Sequence, residues 1–128
     1  MKDILVPISP GELLDKITIL RIKQDKIRGQ AAQQNIRHEL DELEQVRKRT
    51  ELNSTQLAIL EEQLFATNLE LWKILDDQQE AERAGDFGPR FVEMARLVYK
   101  LNDRRATLKK EINQITRSVI VEEKLYAG

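Results

Sequence analysis

The stretch Gly85-Asp86-Phe87-Gly88-Pro89 decides the fold, because it is a short turn between two long stretches that repeat apolar residues every three or four positions. This spacing is typical of a buried helix face, and the second stretch maintains it for about four heptads. Two helices joined by so short a turn lie antiparallel. We therefore predict a long helical hairpin over about residues 56–121. Its apolar positions are Leu57, Leu60, Leu64, Leu71 and Ile74 before the turn, and Phe91, Met94, Val98, Leu101, Leu108, Ile112, Ile115 and Val119 after it.

Residues that face each other across such a hairpin have numbers with a nearly constant sum. A turn centred near Asp86 pairs apolar with apolar at every level but one, where Thr67 lies opposite Arg105, next to Asn68. A guanidinium directed into a core needs acceptors there. Two interpretations stay open for this level: a structural polar layer of Thr67, Asn68 and Arg105, or an anion-binding pocket.

A shorter hairpin is predicted over about residues 9–52. Its first helix begins with Ser9 as N-cap, Pro10 at the first helical position and Glu12 three residues after the cap, and Gly29 is the natural stop. Its second helix covers about residues 32–52. Residues 53–55, Asn-Ser-Thr, favour a break before the third helix, although a continuous helix through this point stays open.

The two ends of the chain carry apolar residues outside the predicted hairpins. Residues 3–8 include Ile4, Leu5 and Val6 and stop at prolines, which favours a short extended arm. Residues 119–126 fit either a helix or a strand. If they form a strand, the arm is the candidate to pair with it.

Composition supports a single helical domain over residues 1–128. The chain is 41% hydrophobic and 34% charged, with 5 glycines and 3 prolines, which favours an all-α class. No cysteine and one histidine, His38, exclude disulfides, a thiol nucleophile and most metal sites, so we expect no metal and no cofactor. No apolar run reaches the about 18 residues of a membrane span, and a cytoplasmic protein is expected.

Charge is unevenly distributed although the net charge is only -1. The fourth helix is a basic strip, and the end of the third helix is acidic. The constant sum places Asp76 beside Arg96, so cross-hairpin pairing would account for most of the strip near the turn. A basic group further along the helix stays unbalanced. The candidate ligand-binding residues are Asp15, Lys16, Asn102, Asp103, Arg104, Arg105 and Lys109.

Three motifs resemble those of an uncharacterised family of small bacterial and phage proteins. They are the opening at residues 9–23, which fits S-x-G-E-L-x-D-K-x-x-I-L-x-I-K, the N-D-x-R motif at residues 102–105, and E-E-K-x-Y at residues 122–126. The resemblance covers nearly the whole chain, supplies no activity, and implies that the tail folds back on the body. Relatives carry Glu where this chain has Arg21. The residues that belong to the family pattern are Gly11, Glu12, Asp15, Lys16, Asn102, Asp103, Arg105, Glu122, Glu123 and Lys124.

Two function hypotheses follow from these patterns. The first is a non-catalytic interaction or adaptor module that forms a dimer, because the long hairpin should overhang the short one by about 15 Å and expose its apolar seam. Trp72, Tyr99 and Phe65 are aromatic residues of the kind found in cores or interfaces. The alternative is an enzyme or binder for an anionic small molecule, such as a phosphorylated or carboxylated metabolite. Its binding residues would be Arg104, Arg105 and Lys109. No catalytic residue is recognised, and we do not expect nucleic acid as a partner.

Overall fold

The computed structural model of the chain describes residues 1–118, 120 and 123, and this part contains four α-helices and no strand. The helices are α1 (Pro10–Lys26), α2 (Gln30–Arg49), α3 (Thr55–Ala84) and α4 (Pro89–Ile115). The prediction of an all-α helical bundle is confirmed. A short hairpin of α1 and α2 precedes a long hairpin of α3 and α4. Residues 1–8 form neither helix nor strand, and the predicted partner of this arm lies mostly outside the described residues.

Side-chain caps set the beginnings of α1 and α3. The Ser9 hydroxyl accepts a hydrogen bond from the Glu12 N–H at 3.1 Å, and the Ser54 hydroxyl accepts one from the Leu57 N–H at 3.2 Å. Each bond satisfies one of the backbone donors that a helix start leaves open. Between α2 and α3 the backbone of Glu51 has a positive φ of 56°. This conformation interrupts the helix, so α2 and α3 are separate helices.

The turn of the long hairpin has the predicted chemistry. Gly85 ends α3 in the left-handed conformation, with φ of 68°, which glycine adopts without a steric penalty. The Asp86 N–H then donates to the Ala81 carbonyl at 2.9 Å, and Pro89 is the first residue of α4. The seam between the two helices is apolar, and its best buried members are Leu57, Leu60, Leu64, Leu71, Met94, Leu101, Leu108 and Ile112.

The end of α4 differs from the prediction. The heptad pattern favoured a helix to about residue 121, but α4 ends at Ile115, which is 37% exposed. The Thr116 hydroxyl donates to the Ile112 carbonyl at 2.8 Å, and the Ser118 N–H donates to the Asn113 carbonyl at 2.9 Å. These bonds close the last turn, and Arg117 leaves it with φ of 55°. The remaining apolar residues of that stretch, Val119 and Val121, lie outside the described residues.

The first helix, α1, organises the core because it contacts the other three helices. Its N-terminal half lies against α4 and its C-terminal half against α3, so it crosses one face of the long hairpin. The core cluster contains Leu13, Leu14, Ile17, Leu52, Leu57, Leu60, Leu64, Leu108 and Ile112, and the half-buried Leu40, Leu43 and Val46 of α2 cover it.

Beyond this core, the part of the chain that the structure describes continues the long hairpin with α3 and α4 only. We call residues 72–100 the outer half of the long hairpin, and the rest of α3 and α4, residues 55–71 and 101–115, its base. The only buried residue in it is Met94. The hydrogen bonds and ion pairs described between α1 or α2 and the long hairpin fall on residues 61–68 of α3 and 105–113 of α4, outside the range 72–100. The outer half corresponds to the predicted overhang, but the prediction that its apolar seam is exposed is wrong. Met94 is buried, and Ile74, Phe91 and Val98 are half-buried, because α3 and α4 cover each other there.

Candidate functional site

A cluster of four polar side chains lies inside the bundle, centred on Asp15. Only 1% of Asp15 is exposed, and Arg105 binds its carboxylate with two hydrogen bonds, from Nε to Oδ1 at 2.8 Å and from Nη2 to Oδ2 at 2.5 Å. The Asn68 side-chain amide donates to Asp15 Oδ1 and to the Thr18 hydroxyl, both at 2.9 Å. Thr18 in turn donates to the Asp15 carbonyl at 2.8 Å.

Three helices contribute to this cluster, and helix geometry explains how. Asp15 and Thr18 are three residues apart on α1 and therefore share a face. Arg105 occupies a seam position of α4, but it reaches across to α1. Thr67, its expected counterpart on α3, donates to the Gln63 carbonyl of its own helix at 2.9 Å. Asn68, the next residue, makes the contact from α3.

The buried charge and the buried polar groups of this cluster are compensated within the protein. A buried carboxylate is costly unless charge and hydrogen bonds compensate it, and a bidentate guanidinium with an amide does both. Within the described part of the chain, no buried side-chain nitrogen or oxygen lacks a hydrogen-bond partner. The hydrogen-bond donors around the Asp15 carboxylate are the side chains of Arg105 and Asn68, so its contacts lie within the protein.

A second contact joins the start of α1 to the base of α4. The Gly11 N–H donates to Asn113 Oδ1 at 2.7 Å, and Lys109 Nζ donates to Glu12 Oε2 at 2.6 Å. Arg105, Lys109 and Asn113 follow one another at intervals of four, so they lie on the face of α4 that α1 covers. Sequence reasoning missed Asn113, although this spacing from two predicted site residues was visible.

The other predicted site residues are more peripheral. Lys16 Nζ lies 3.7 Å from Glu12 Oε1, Asn102 and Arg104 are exposed, and Asp103 is half-buried. The structure thus brings together Asp15 and Arg105, and it holds Lys109 against Glu12. It does not bring Arg104 into that cluster. The hypothesis that an anionic ligand binds these residues stays a prediction.

Sequence reasoning also missed a buried ion pair network centred on Glu61 of α3. This side chain is 8% exposed and binds Arg47 of α2 and Arg21 of α1. The Arg21 guanidinium also lies 4.4 Å from the centre of the Phe65 ring, a cation–π distance. Glu61 lies one heptad before Asn68, on the same side of α3, which is the available sequence signal.

Replacing Glu61 with glutamine should destabilise the protein by about 1–3 kcal/mol, because two arginines then lose their carboxylate. Urea unfolding followed by circular dichroism measures this. Glu62→Gln is the matched control, because the Glu62 side chain is 67% exposed and forms an ion pair with Arg21 at 3.5 Å. If both substitutions cost the same, the network has no special role.

The charges of the outer half do not pair as predicted. No charged side chain between residues 72 and 100, all of which are described, makes an ion pair within 4.0 Å. The predicted pairing of Asp76 with Arg96 is therefore wrong. Each of them follows a seam residue, Ile74 or Met94, by two positions, which is a rotation of about 200° around the helix. The constant sum of residue numbers places Asp76 and Arg96 at the same height along the hairpin. Their side chains, however, lie on opposite outer edges of the hairpin.

The three aromatic residues that the sequence analysis named, Trp72, Tyr99 and Phe65, do not stack on one another. Tyr99 is 55% exposed, and Trp72 and Phe65 are half-buried. Among the described residues the only ring–ring contact joins Phe87 and Phe91, whose rings are 5.3 Å apart and nearly perpendicular.

Two further properties concern the described residues only. No group of three or more His, Cys, Asp or Glu side chains among them could hold a metal ion. None of the four helices combines the length and the apolar composition that crossing a membrane requires.

Comparison with known proteins identifies the family but no characterised relative. No curated protein matches the chain, and no solved structure matches it either. One family model, described as a family of unknown function (DUF6165), matches residues 4–128. This span includes α1, with its contacts to α4, and the whole long hairpin. The chain therefore belongs to this family of unknown function.

Proposed function

We propose that the protein is a non-catalytic helical interaction module that associates with a second copy of itself through the outer half of the long hairpin. The observation that carries the proposal is the contrast along that hairpin. The base is closed by α1, whereas the outer half contains one buried residue and exposes Leu75 by 43%, Val92 by 47% and Tyr99 by 55%.

Helices gain most of their stability from tertiary packing, and among the described residues the outer parts of α3 and α4 pack mainly against each other. On one face of the hairpin, α1 crosses at the level of residues 61–68 and 105–113 and leaves the same face beyond that level uncovered by α1. Leu75 lies one heptad beyond Asn68, and Val98 lies one heptad before Arg105, so they continue the two surfaces that α1 covers at the base. Apolar side chains that continue a buried face favour association with another molecule.

The polar cluster supports the non-catalytic part of the proposal. A catalytic acid or base must reach a substrate, but Asp15 is 1% exposed and accepts hydrogen bonds from Arg105 and Asn68. Lys109 likewise donates to Glu12. Both interactions join α1 to the long hairpin, which leaves the outer half projecting from a rigid base.

Removing apolar surface from the outer half should abolish association. We expect the wild-type chain to sediment with a mass that rises above 14.9 kDa between about 1 and 200 μM, and Val92→Ser/Tyr99→Ser to stay monomeric. Sedimentation velocity at matched concentrations measures this. Ile59→Ser is the control, because Ile59 is 56% exposed but lies on the base. A wild-type protein that remains at 14.9 kDa throughout would refute self-association.

A further inference from the structure

The outer half has two edges of opposite charge. Residues 72–84 of α3 carry four carboxylates and two basic side chains, a net charge of -2, and residues 89–100 of α4 carry three basic side chains and one carboxylate, a net charge of +2. All of these side chains are exposed. Since none of them makes an ion pair with another described residue, we treat both edges as available to a partner.

The charges on the two edges also match in order and spacing. Along α3, Asp76, Glu80 and Arg83 are separated by four and three residues. Along α4 in the opposite direction, Lys100, Arg96 and Glu93 have the same separations and the opposite signs. An antiparallel alignment of one α3 with another α4 therefore brings three pairs of opposite charges together: Asp76 with Lys100, Glu80 with Arg96, and Arg83 with Glu93.

These three pairs cannot form within one hairpin, because the acidic edge of α3 and the basic edge of α4 face away from each other. They can form between two copies that stand side by side with their tips at the same end. We infer that the acidic edge of α3 in one copy binds the basic edge of α4 in the next, an inference that rests on the proposed self-association. Val92, Arg96 and Tyr99 share one face of α4 at intervals of four and three, so apolar contacts would accompany the ion pairs.

A symmetric alternative is disfavoured by the same charges. In a two-fold contact each edge would meet its own copy, so Arg96 and Lys100 would lie near Arg96 and Lys100 of the second molecule. Like charges at an interface oppose association. A contact between unlike edges leaves one free edge at each end, so the assembly either closes into a ring or continues to grow. Species larger than a dimer are therefore expected at high concentration.

Charge reversal tests the inference. We expect Asp76→Lys/Glu80→Lys and Arg96→Glu/Lys100→Glu each to weaken self-association by about tenfold or more, and a 1:1 mixture of the two variants to restore it. Sedimentation velocity measures the masses, and circular dichroism confirms that each variant is folded. Glu39→Lys/Asp41→Lys is the control for net charge, because these residues are exposed on α2.

The outcomes separate this inference from the proposed function. If the wild-type chain is monomeric, self-association fails and the edge contact with it. If the wild-type chain associates, and the Val92→Ser/Tyr99→Ser variant does not, but both charge reversals behave as wild type, only the edge contact is overturned. Reversals that weaken association without restoration in the mixture would also overturn it, because complementary edges must rescue each other.

Discussion

Replacing Asp15 with alanine is expected to destabilise the protein by about 3–5 kcal/mol, the range seen when one partner of a buried ion pair is removed. The substitution takes the carboxylate from Arg105, whose side chain is 30% exposed, and from the amide of Asn68. Water can reach part of the guanidinium, so the lower end of the range is the better expectation. Domains are stable by only about 5–15 kcal/mol, so the loss is a large share of the total.

The measurement is urea unfolding of Asp15→Ala, Arg105→Ala and the double variant. A double-mutant cycle isolates the coupling between the two side chains from the cost of each truncation. Asp25→Ala is the matched control: it removes the same side chain from the same helix, where it is 77% exposed, and should change stability by under about 0.5 kcal/mol. A loss below about 1 kcal/mol for Asp15→Ala would contradict a structural role for the cluster.

The hairpins could be predicted because their signals are local. Ser9, Ser54 and Gly85 act on backbone groups within five residues of themselves, and a heptad seam needs only periodicity. Local hydrogen bonds also explain why the predicted end of α4, near residue 121, is wrong. Apolar periodicity continues to Val119, but the hydrogen bonds of Thr116 and Ser118 end the helix after Ile115.

The candidate site could be predicted only in part, because it depends on how α1 crosses the hairpin. The constant-sum rule describes two helices, and it identified Arg105 as a buried cation without identifying its acceptor. Asp15 was a candidate for a different reason, as one of several polar residues on α1. The same rule gives the level of a residue and not its direction around the helix, so it paired Asp76 with Arg96 across the hairpin.

Substituting Gly11 with alanine is expected to cost about 3 kcal/mol, because α1 lies on α4 at this residue without room for a side chain. A Cβ at Gly11 would lie 2.5 Å from the Lys109 carbonyl oxygen and 2.9 Å from Asn113 Oδ1. The first of these atoms belongs to the backbone of a long helix and cannot rotate away. The helices must separate, which weakens the hydrogen bond from the Gly11 N–H to Asn113.

The comparison with Gly88→Ala makes this prediction specific. A Cβ at Gly88 meets its nearest atom, Asp86 Oδ1, at 3.4 Å, so alanine fits there without a clash and should cost at most about 1 kcal/mol, the usual loss when alanine replaces a better N-cap residue. Thermal and urea unfolding of both variants measure the difference. Because Gly11, Lys109 and Asn113 hold the base of the hairpin together, Gly11→Ala should lower stability without removing any side chain that a partner of the outer half could contact. Equal stability of the two variants would mean that α1 does not approach α4 this closely.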